Sequence, residues 1–394
     1  MLLICNFAIC SYDESVNKLN NQKTIFVGLS GGVDSSVSAY LLKKEGLNVV
    51  GAFIKIWQSE FDETCTWKED RRDAMRVAAH LEIPFVTIDL SDEYKKNVID
   101  YMIKEYKEGR TPNPDVMCNK QIKFGVFLKK AIEMGADAIA TGHYARKVIG
   151  DKCQVIEKRE DLNSCNLKPI TYNLLKALDR AKEQSYFLWT LNQDQLSKAY
   201  FPVGHLQKEE VRKIAKKAGI PTFDRKDSQG LCFIGKVDFK DFLKTYIKEE
   251  EGKVLNEKGE VVGTHKGVAF LTIGERRGFE ITKKGTDDEP LFVIAKDIEN
   301  NTITVTNRIK NLESVIKNED KIIEIKNTNW INGEPEKDKT YEAQIRYHGE
   351  LLKCKIETKN NTAKIFFEKP ELVASGQSIV VYSGEECVGG GVVK

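Results

Sequence analysis

Cys118 lies in a segment whose neighbours could make a thiol reactive. It follows Asp115 by three residues, in a stretch where two prolines bracket Asn113 and predict a rigid, extended loop. We expect a helix to begin near Cys118 or Asn119, and a helix N-terminus stabilises a thiolate. The alternative for an isolated cysteine is a small buried thiol behind a rigid loop, with Asp115 serving only as an N-cap.

A second cysteine, Cys232, lies in an apolar stretch behind a glycine-containing turn. Arg225 and Lys226 are close to it in sequence and could favour its thiolate form. A core cysteine beside Leu231 and Phe233 is the interpretation that the local sequence alone favours. The separation of the two cysteines along the chain does not indicate whether they meet, although the presence of a second one favours sulfur chemistry.

A glycine-rich turn between a predicted strand and a predicted helix could bind an anion. The string SGGVDSS follows a β-like run at 24–29, and backbone N–H groups at a helix start can hold a phosphate. A plain tight turn capped by Asp34 is the alternative. No lysine or arginine occurs between Lys23 and Lys43, which excludes a Walker-type loop, and the dinucleotide pattern G-x-G-x-x-G is absent.

The first half of the chain alternates between strand-like and helix-like runs. The strand-like runs lie at 24–29, 48–57, 84–90 and 137–143, and the helical patterns at 34–45, 69–81, 93–107, 121–134, 184–191 and 208–218. This alternation predicts an α/β fold with a doubly wound parallel sheet, which binds ligands beyond the carboxyl ends of its strands. The glycine turn, the segment after Ile54 and the turn at 141–143 fall at such ends, so we expect one pocket to collect them.

The second half of the chain has a different residue pattern. Residues 148–171 are polar and irregular and suggest a hairpin insertion, and from about residue 252 short β-like runs predict small β domains, the last a barrel or sandwich. A basic patch in the central β segment could bind phosphates or be a solvated face. Its members are His265, Lys266, Arg276, Arg277, Lys283 and Lys284.

Composition limits the class of protein and its compartment. The 394 residues carry 61 Lys+Arg and 59 Asp+Glu, a net charge of +2, so a polyanion would have to meet a local patch rather than a global basic field. The nine cysteines are odd in number and show no Cys-x-x-Cys spacing, which argues against a disulfide framework or a zinc ribbon. No apolar run has the length of a membrane span. We therefore expect a cytoplasmic protein, with residues 1–23 as a disordered extension.

Taken together, the motifs resemble those of the tRNA-specific 2-thiouridylases, a family of pyrophosphate-loop ATPases. The matching strings, in family order from about residue 24 onwards, are GLSGGVDSSV, TPNPDVMCN, IKFG, ATGHYAR, EQSYFLW, FPVG, KDSQGLCFIG, TIGERRGF, AQIRYHG and SGQSIVVY. The resemblance implies a catalytic domain of the adenine nucleotide alpha hydrolase type at 24–235. It further implies a central tRNA-binding domain at 236–310 and a C-terminal β-barrel at 311–394.

The resemblance also implies an enzyme, a tRNA-uridine 2-sulfurtransferase acting on the wobble uridine. ATP, with Mg²⁺, would adenylate uracil O2, and sulfur transfer from a cysteine persulfide would then release AMP. Cys232 would carry the persulfide received from a sulfur donor or relay protein, and Cys118 would deliver the sulfur and end in a disulfide. Asp115 would be the general acid/base. The resemblance is compatible with a monomer that has no membrane association.

Site residues carry over position by position. The nucleotide would be bound by Gly28, Leu29, Ser30, Gly31, Gly32, Val33, Asp34, Ser35, Ile54 and Gly142. The flipped target base would contact Asn113, Pro114 and Asp115, and the rest of the tRNA would contact His143, Lys182, Glu183, Gln184, Arg346, Tyr347 and Gln377. The family commonly has Met at position 54, KDQSYF around Glu183 and GQR around Glu275, so one adenine contact and two RNA contacts depart from its pattern.

Other interpretations remain open beside this resemblance. A tRNA lysidine synthetase needs no cysteine pair, and a 2-thiocytidine synthetase uses cysteines for an iron–sulfur cluster. A non-catalytic, nucleotide-dependent RNA-binding protein would not need Ser30, Asp115 and both cysteines intact. Release of AMP and pyrophosphate that depends on tRNA would separate an enzyme from such a binder.

Overall fold

The structure is a computed structural model that describes residues 22–58, 67–150, 170–227, 239–282, 289–307 and 321–394. Its strands are β1 Thr24–Gly28, β2 Asn48–Lys55, β3 Phe85–Asp89, β4 Ala138–Ala140, β5 Ala145–Ile149, β6 Tyr172–Lys176, β7 Ala199–Tyr200, β8 Gly252–Leu255, β9 Val261–His265, β10 Phe279–Ile281, β11 Phe292–Asp297, β12 Thr302–Thr306, β13 Ile322–Trp330, β14 Tyr341–Gln344, β15 Leu352–Lys359, β16 Thr362–Phe367, β17 Ser378–Ser383 and β18 Glu386–Val393. Residues 1–21 of the predicted extension, and Cys232, lie outside the described residues.

The helices cluster in the first half of the chain. They are α1 Val33–Lys44, α2 Trp67–His80, α3 Ser91–Tyr94, α4 Asp100–Lys107, α5 Pro114–Met117, α6 Leu128–Glu133, α7 Gln193–Ser197, α8 Lys208–Lys217 and α9 Phe239–Lys244. The segments Lys95–Ile99 and Cys118–Phe127 are π-helical, with wider turns, and join their flanking α-helices without a break. In the described ranges, no helix has the length and apolar character needed to cross a bilayer.

The predicted doubly wound sheet is confirmed. Five parallel strands lie in the order β3-β2-β1-β4-β7, so the chain runs outward on one side of β1 and then crosses to β4 on the other. The carboxyl ends of β1 and β4 therefore flank the topological switch point, where such sheets bind ligands. The glycine turn follows β1 directly, and the turn at 141–143 follows β4.

Apolar residues cover both faces of this sheet, which explains why its strands read as continuous apolar runs. Successive residues of β1 point to opposite sides: Ile25 and Val27 pack with α1, α2 and α8, whereas Phe26 packs with the helices between residues 91 and 133. Burying each such side chain contributes roughly 1.5–3 kcal/mol to folding. The two helical layers hold the strand ends, and hence the turns, in fixed positions.

Two helix predictions need correction. The helix expected to begin near Cys118 begins at Pro114, because the Asn113 side chain accepts a hydrogen bond from Val116 N (3.1 Å) and caps it, with the proline at the first helical position. The helix predicted at 184–191 is only a 3₁₀ turn, Ser185–Phe187. Its apolar residues are buried because they enter the core between the catalytic domain and the barrel, rather than because they form a helical stripe.

The predicted C-terminal barrel is also confirmed. Six antiparallel strands lie in the order β13-β16-β15-β14-β17-β18, and pairing of β13 with β18 closes them. Most of the hairpin suggested at 148–171 lies outside the described residues; the strands on either side of it, β5 and β6, pair with each other as a hairpin, and β6 also pairs with β18 and so extends the barrel sheet. One core cluster contains side chains of the helical layer, the hairpin and the barrel, among them Val380 and Tyr382.

Between these two parts lies a central five-stranded sheet in the order β10-β9-β8-β12-β11. The basic patch predicted there is partly wrong, because His265 is buried and its Nδ1 accepts a hydrogen bond from Gly267 N (3.0 Å). Lys266, Arg276 and Arg277 are exposed, whereas Lys283 and Lys284 lie outside the described residues. The predicted domain boundaries, after residues 235 and 310, also lie outside the described residues. The division into these domains therefore stays a prediction.

Candidate active site

The glycine turn after β1 is shaped by its own serines. Ser30 N donates to Ser35 Oγ (3.2 Å), and Ser35 Oγ donates to Gly32 O (3.1 Å), which folds the turn back onto the start of α1. Gly31 has a φ of +79°, and a Cβ there would lie 2.7 Å from Asp70 O. Only glycine fits this position. The first N–H groups of α1 have no partner within the helix and face the end of the sheet, as in helix-terminal anion sites.

Gly142, at the end of β4, lies in contact with this turn. A Cβ on Gly142 would be 2.7 Å from Ser35 N and 2.9 Å from the Asp34 carbonyl carbon, so the two backbones approach as closely as a glycine allows. The Ile54 Cδ1 atom lies near Gly28 on the neighbouring strand end. The structure thus brings together the predicted nucleotide-binding residues of three strand ends; their binding role stays a prediction.

The glycine turn has no lysine or arginine of its own. The cations beside it come from distant parts of the chain. Lys208, at the start of α8, donates to both carboxylate oxygens of Asp34 (2.7 and 2.8 Å) and is itself only 8% exposed. Tyr144 donates its hydroxyl to Asp34 Oδ1 (2.8 Å), and burial together with Asp34 raises the pKa of Tyr144. On the other side of the turn, Arg225 Nη1 donates to Gly31 O (3.3 Å).

Asp227 forms ion pairs near the glycine turn and lies just before Cys232 in sequence. Its carboxylate lies 2.9 Å from Lys208 Nζ and 2.7 Å from both Lys182 Nζ and Arg212 Nη2. Burial opposes ionisation of Asp227, but the hydrogen bonds from Lys182 and Lys208 outweigh it and lower its pKa to about 2. Cys232 follows five residues later, outside the described residues, so the structure does not place it.

The predicted catalytic groups Asp115 and Cys118 share the helix that Asn113 caps. Asp115 is half-buried in its first turn, and burial raises the pKa of its carboxyl group, an effect that the positive charge of Lys123 opposes. Cys118 is buried, 8% exposed, where the π-helical segment begins. A carboxyl group that titrates closer to neutral pH is suited to proton transfer.

His143, a predicted tRNA contact, links the sheet edge to this helix. It directly follows Gly142, its Nδ1 lies 2.8 Å from Thr141 Oγ1, and its Nε2 lies 3.4 Å from Lys123 Nζ. His143 is buried, and burial, followed by the charge of Lys123, lowers its pKa well below the usual value. It is therefore a neutral imidazole that packs at the strand end and also faces the Asp115 helix.

The barrel supports the loop that leads to Asp115. Gln377 Nε2 donates to Thr111 O (2.9 Å), and Thr111 N donates to Ser375 O (2.8 Å), so a barrel loop holds the chain just before the capping Asn113. Tyr347, also from the barrel, lies against Phe187 with ring centroids 4.4 Å apart. Burial, with Glu183 and Asp115 nearby, raises the pKa of Tyr347 to about 12.

The three predicted tRNA contacts at 182–184 have partners within the protein. Lys182 pairs with Asp227, as described above. Glu183 Oε1 accepts from Ser185 N (2.6 Å), and Gln184 Oε1 accepts from Tyr144 N (3.0 Å). Arg346, by contrast, is exposed. The departure at Glu275 has a local explanation, since its carboxylate pairs with Lys240 Nζ (2.6 Å). These tRNA roles stay predictions.

Sequence patterns did not identify several of these groups. Lys123 and Tyr144 lie inside the strings IKFG and ATGHYAR, which was the only signal for them. Lys208 lies in a charged helix start and resembles an ordinary surface lysine. The contacts between Asp34 and Lys208 and between His143 and Lys123 are made by the fold, because the partners are far apart in sequence.

Family comparisons cover almost all of the chain. Residues 23–236 match the family described as "tRNA methyl transferase HUP domain", residues 240–307 match "tRNA methyl transferase PRC-barrel domain", and residues 320–393 match "Aminomethyltransferase beta-barrel domain". The first match spans the parallel sheet and its helices. The other two span the central sheet and the barrel.

Curated relatives are similar over their full lengths. The chain is 42% identical over 382 residues to "tRNA-specific 2-thiouridylase MnmA 2" of Geobacillus kaustophilus, covering 96% of each chain. It is 42% identical over 377 residues to the 2-thiouridylase of Methylobacillus flagellatus, covering 94% of this chain and 99% of the relative. It is 40% identical over 378 residues to that of Streptococcus thermophilus, with 95% and 96% covered. The chain belongs to the tRNA-specific 2-thiouridylases, a family of tRNA sulfurtransferases.

Proposed function

We propose that the protein thiolates the wobble uridine of tRNA at C2, with ATP activating the base and a cysteine persulfide supplying the sulfur. The best support is a chain of contacts at one edge of the parallel sheet. The glycine turn touches Gly142, the adjacent His143 touches Lys123, and Lys123 lies on the helix that carries Asp115 and Cys118. A nucleotide on the turn and a base beside Asp115 would therefore meet.

In the first step, uracil O2 attacks the α-phosphorus of ATP and pyrophosphate leaves, while the N3 proton of uracil passes to the Asp115 carboxylate. The half-buried position of Asp115, which raises its pKa, suits a group that accepts a proton near neutral pH. The base must leave the anticodon stack to reach this position. The N–H groups at the start of α1, together with Lys208 and Arg225, would balance the charge of the departing pyrophosphate.

Magnesium would arrive with the nucleotide. The described residues contain no cluster of three or more His, Cys, Asp or Glu side chains that could hold a metal ion by themselves. Asp34 is the carboxylate beside the turn, but both of its oxygens accept hydrogen bonds from Lys208, and Mg²⁺ usually keeps several waters and binds substrate phosphates. The residues present therefore fit a metal bound mainly by ATP, which would neutralise phosphate charge.

In the second step, the terminal sulfur of a Cys232 persulfide attacks C2 and AMP leaves. The Cys118 thiolate then attacks Cys232 Sγ, so that the sulfur–sulfur bond breaks and leaves sulfur on C2. The two cysteines supply the two electrons that reduce the transferred sulfur and end as a disulfide, which a thiol reductant must reopen. A persulfide donor or relay protein is thus a required partner. We further propose a monomer that works in the reducing cytoplasm.

Nucleoside mass spectrometry on unmodified tRNA tests this function. The tRNA is incubated with Mg-ATP, a low-molecular-weight persulfide donor, a thiol reductant and wild-type protein, or the variant Cys118→Ala, Cys232→Ala or Cys354→Ala. Cys354 is the matched control because it is buried in the barrel, away from the sheet edge. We expect 2-thiouridine with wild type and Cys354→Ala, and a loss of about 10³-fold or more with the other two variants.

Other outcomes of this experiment point elsewhere. Thiolation that persists in both Cys118→Ala and Cys232→Ala would refute the assigned cysteine roles. Release of AMP without thiouridine would indicate another pyrophosphate-loop reaction, such as lysidine synthesis. Binding of tRNA with no AMP release would indicate a non-catalytic protein. Methylated uridine that requires a methyl donor would instead match the wording of the family description.

A further inference from the structure

Lys123 makes a contact that determines the tautomer of His143. Its ammonium group lies 3.4 Å from His143 Nε2 and can only donate hydrogen bonds. Nε2 must therefore be the unprotonated nitrogen, and the ring proton is on Nδ1, which donates to Thr141 Oγ1 at 2.8 Å. A neutral ring between a cation and a hydroxyl group has one favoured tautomer and one favoured orientation.

The other neighbours of His143 do not compete with Lys123. The rings of Phe124 and Phe201 lie 6.0 and 6.4 Å from the imidazole centroid and supply apolar walls. Burial and the lysine charge both disfavour the imidazolium form. Lys123 therefore acts on His143 through a hydrogen bond and through its charge, in the same direction.

Lys123 also acts on Asp115, which lies on the same helix. Two effects act on the pKa of the Asp115 carboxyl group. Burial opposes ionisation and raises the pKa, whereas the charge of Lys123 favours ionisation. Burial raises the pKa of Tyr347 in the barrel to about 12, so its hydroxyl is neutral near pH 7 and adds no charge. In the described part of the chain, no carboxylate lies within ion-pair distance of Lys123, so its charge is not cancelled locally.

The wider helical turns explain how Lys123 reaches this position. In an α-helix, residues five apart point about 140° away from each other, so Cys118 and Lys123 would face different sides. Their segment, Cys118–Phe127, is π-helical, and i→i+5 turns bring residues five apart to nearly the same side. Such turns often occur at functional sites, and here they direct the lysine towards the sheet edge.

We propose that Lys123 is a positioning residue of the thiolation site, which fixes His143 as its neutral Nδ1–H tautomer in one orientation. The proposal rests on the proposed function for its catalytic meaning, but its structural half does not. In this arrangement the buried imidazole of His143 keeps one tautomer and one orientation at the strand end, next to Gly142. Loss of the lysine would free both the tautomer and the orientation of His143.

The structural half can be tested without ATP or tRNA. The chain contains five histidines, so ¹⁵N-labelled imidazole spectra are tractable, and His143→Gln identifies the signal of His143. We expect wild-type His143 to remain neutral with Nδ1 protonated from pH 5.5 to 8.5, and Lys123→Arg to behave in the same way. In Lys123→Met, we expect mixed tautomers or a visible titration. An unchanged His143 spectrum in Lys123→Met would overturn the proposal.

The catalytic half requires the pH profile of single-turnover thiolation. Asp115→Asn identifies the limb of the profile that reports Asp115. In Lys123→Met we expect that limb to move to higher pH and the rate at pH 6 to fall about tenfold, whereas Lys123→Arg restores it. Lys129→Met is the matched control, because Lys129 is 78% exposed on α6 and pairs with Glu133. Circular dichroism confirms that every variant is folded.

The structural test and the catalytic test can give contrary results independently of each other. A changed tautomer with an unmoved Asp115 limb would show that the charge of Lys123 does not act on Asp115, while the role of Lys123 at His143 would stand. If wild type itself makes no 2-thiouridine, the proposed function fails, while the imidazole spectra still decide whether Lys123 sets the state of His143.

Discussion

The surroundings of each cysteine decide which thiol can react. Cys354 and Cys387 are buried in the barrel, where burial raises the pKa of Cys354 to about 12 and that of Cys387 further. Such thiols stay protonated and behave as small apolar side chains. Cys118 lies instead on a capped helix beside Asp115, at the edge of the sheet. The residues next to each cysteine did not separate these cases, because Cys354 lies between two lysines in sequence and is nevertheless buried.

Two buried histidines make stability depend on pH. Burial lowers the pKa of both His143 and His265 in the folded state, so the unfolded chain, with ordinary values near 6.5, binds protons more readily. As the pH falls from about 7.5 to 5.5, the free energy of unfolding should therefore decrease. Urea unfolding at a series of pH values measures this slope.

His265→Asn isolates one of these contributions while keeping an acceptor for Gly267 N. We expect it to flatten the slope by up to about 1.4 kcal/mol per pH unit, the value for one proton. His205→Asn is the control, because His205 is exposed. A slope that is the same in wild type and His265→Asn would show that His265 is not protonated on unfolding.

At the scale of elements, Gly142 and Gly28 offer a matched pair. Both end strands of the parallel sheet, but a Cβ on Gly142 would lie 2.7 Å from Ser35 N, whereas one on Gly28 would meet its neighbours at 3.8–3.9 Å. We expect Gly142→Ala to reduce the free energy of unfolding by about 1–3 kcal/mol, because β4 and α1 must move apart. Gly28→Ala should change it by less than about 1 kcal/mol. Equal effects in urea titrations would contradict the close approach.

Lys208 joins three elements through two carboxylates. Removing it in Lys208→Met leaves Asp34 and Asp227 beside each other with reduced compensation, and we expect a loss of about 3 kcal/mol at pH 7. Asp227 has a lowered pKa in the folded state, so its stabilising contribution is present above about pH 4 and disappears towards pH 2. The difference between wild type and Lys208→Met should thus shrink as the pH falls from about 4 to about 2.

The control for this variant is Lys213→Met, which removes an exposed lysine from the same helix. We expect it to match wild type within about 0.5 kcal/mol in urea unfolding. A Lys208→Met protein as stable as Lys213→Met would show that the ion pairs of Lys208 add nothing to folding.

The elements differ in how far sequence predicts them. Strands β1 and β2 are apolar runs that are buried over most of their length, whereas only Ile88 is buried in the edge strand β3; all three lie where the pattern predicts them. The turn after β1 was predictable because its glycines and the following helix are local. The π-helical turns at Cys118–Phe127 were not, since they depend on packing around the helix. The same holds for the entry of β6 into the barrel sheet, which joins residues about two hundred positions apart.

At the scale of the whole molecule, the catalytic domain and the barrel share one core. The Tyr186 hydroxyl donates to Ser378 O (2.9 Å), and Ser185 Oγ lies 3.3 Å from the hydroxyl of the fully buried Tyr382. We expect heat unfolding followed by far-ultraviolet circular dichroism and by tryptophan fluorescence to give one coincident transition. Trp57, Trp67 and Trp189 report the part that contains the parallel sheet, and Trp330 reports the barrel.

Tyr382→Ala should lower this single transition for both probes, with a loss of about 3–5 kcal/mol. Two separated transitions, or a change in the barrel signal alone, would show that the two parts fold independently.

The pairing of β6 with β18 has a consequence for synthesis on the ribosome. Strand β6 ends at Lys176 and β18 begins at Glu386, so about 210 residues must be translated before the hairpin finds its partner. At 5–20 residues per second, its edge stays open for about 10–40 seconds. An unpaired strand edge is a site for aggregation, and the nascent chain is therefore exposed to capture by chaperones during that interval. A frameshift that alters only β18 would remove the partner strand of β6 and leave that edge of β6 unpaired.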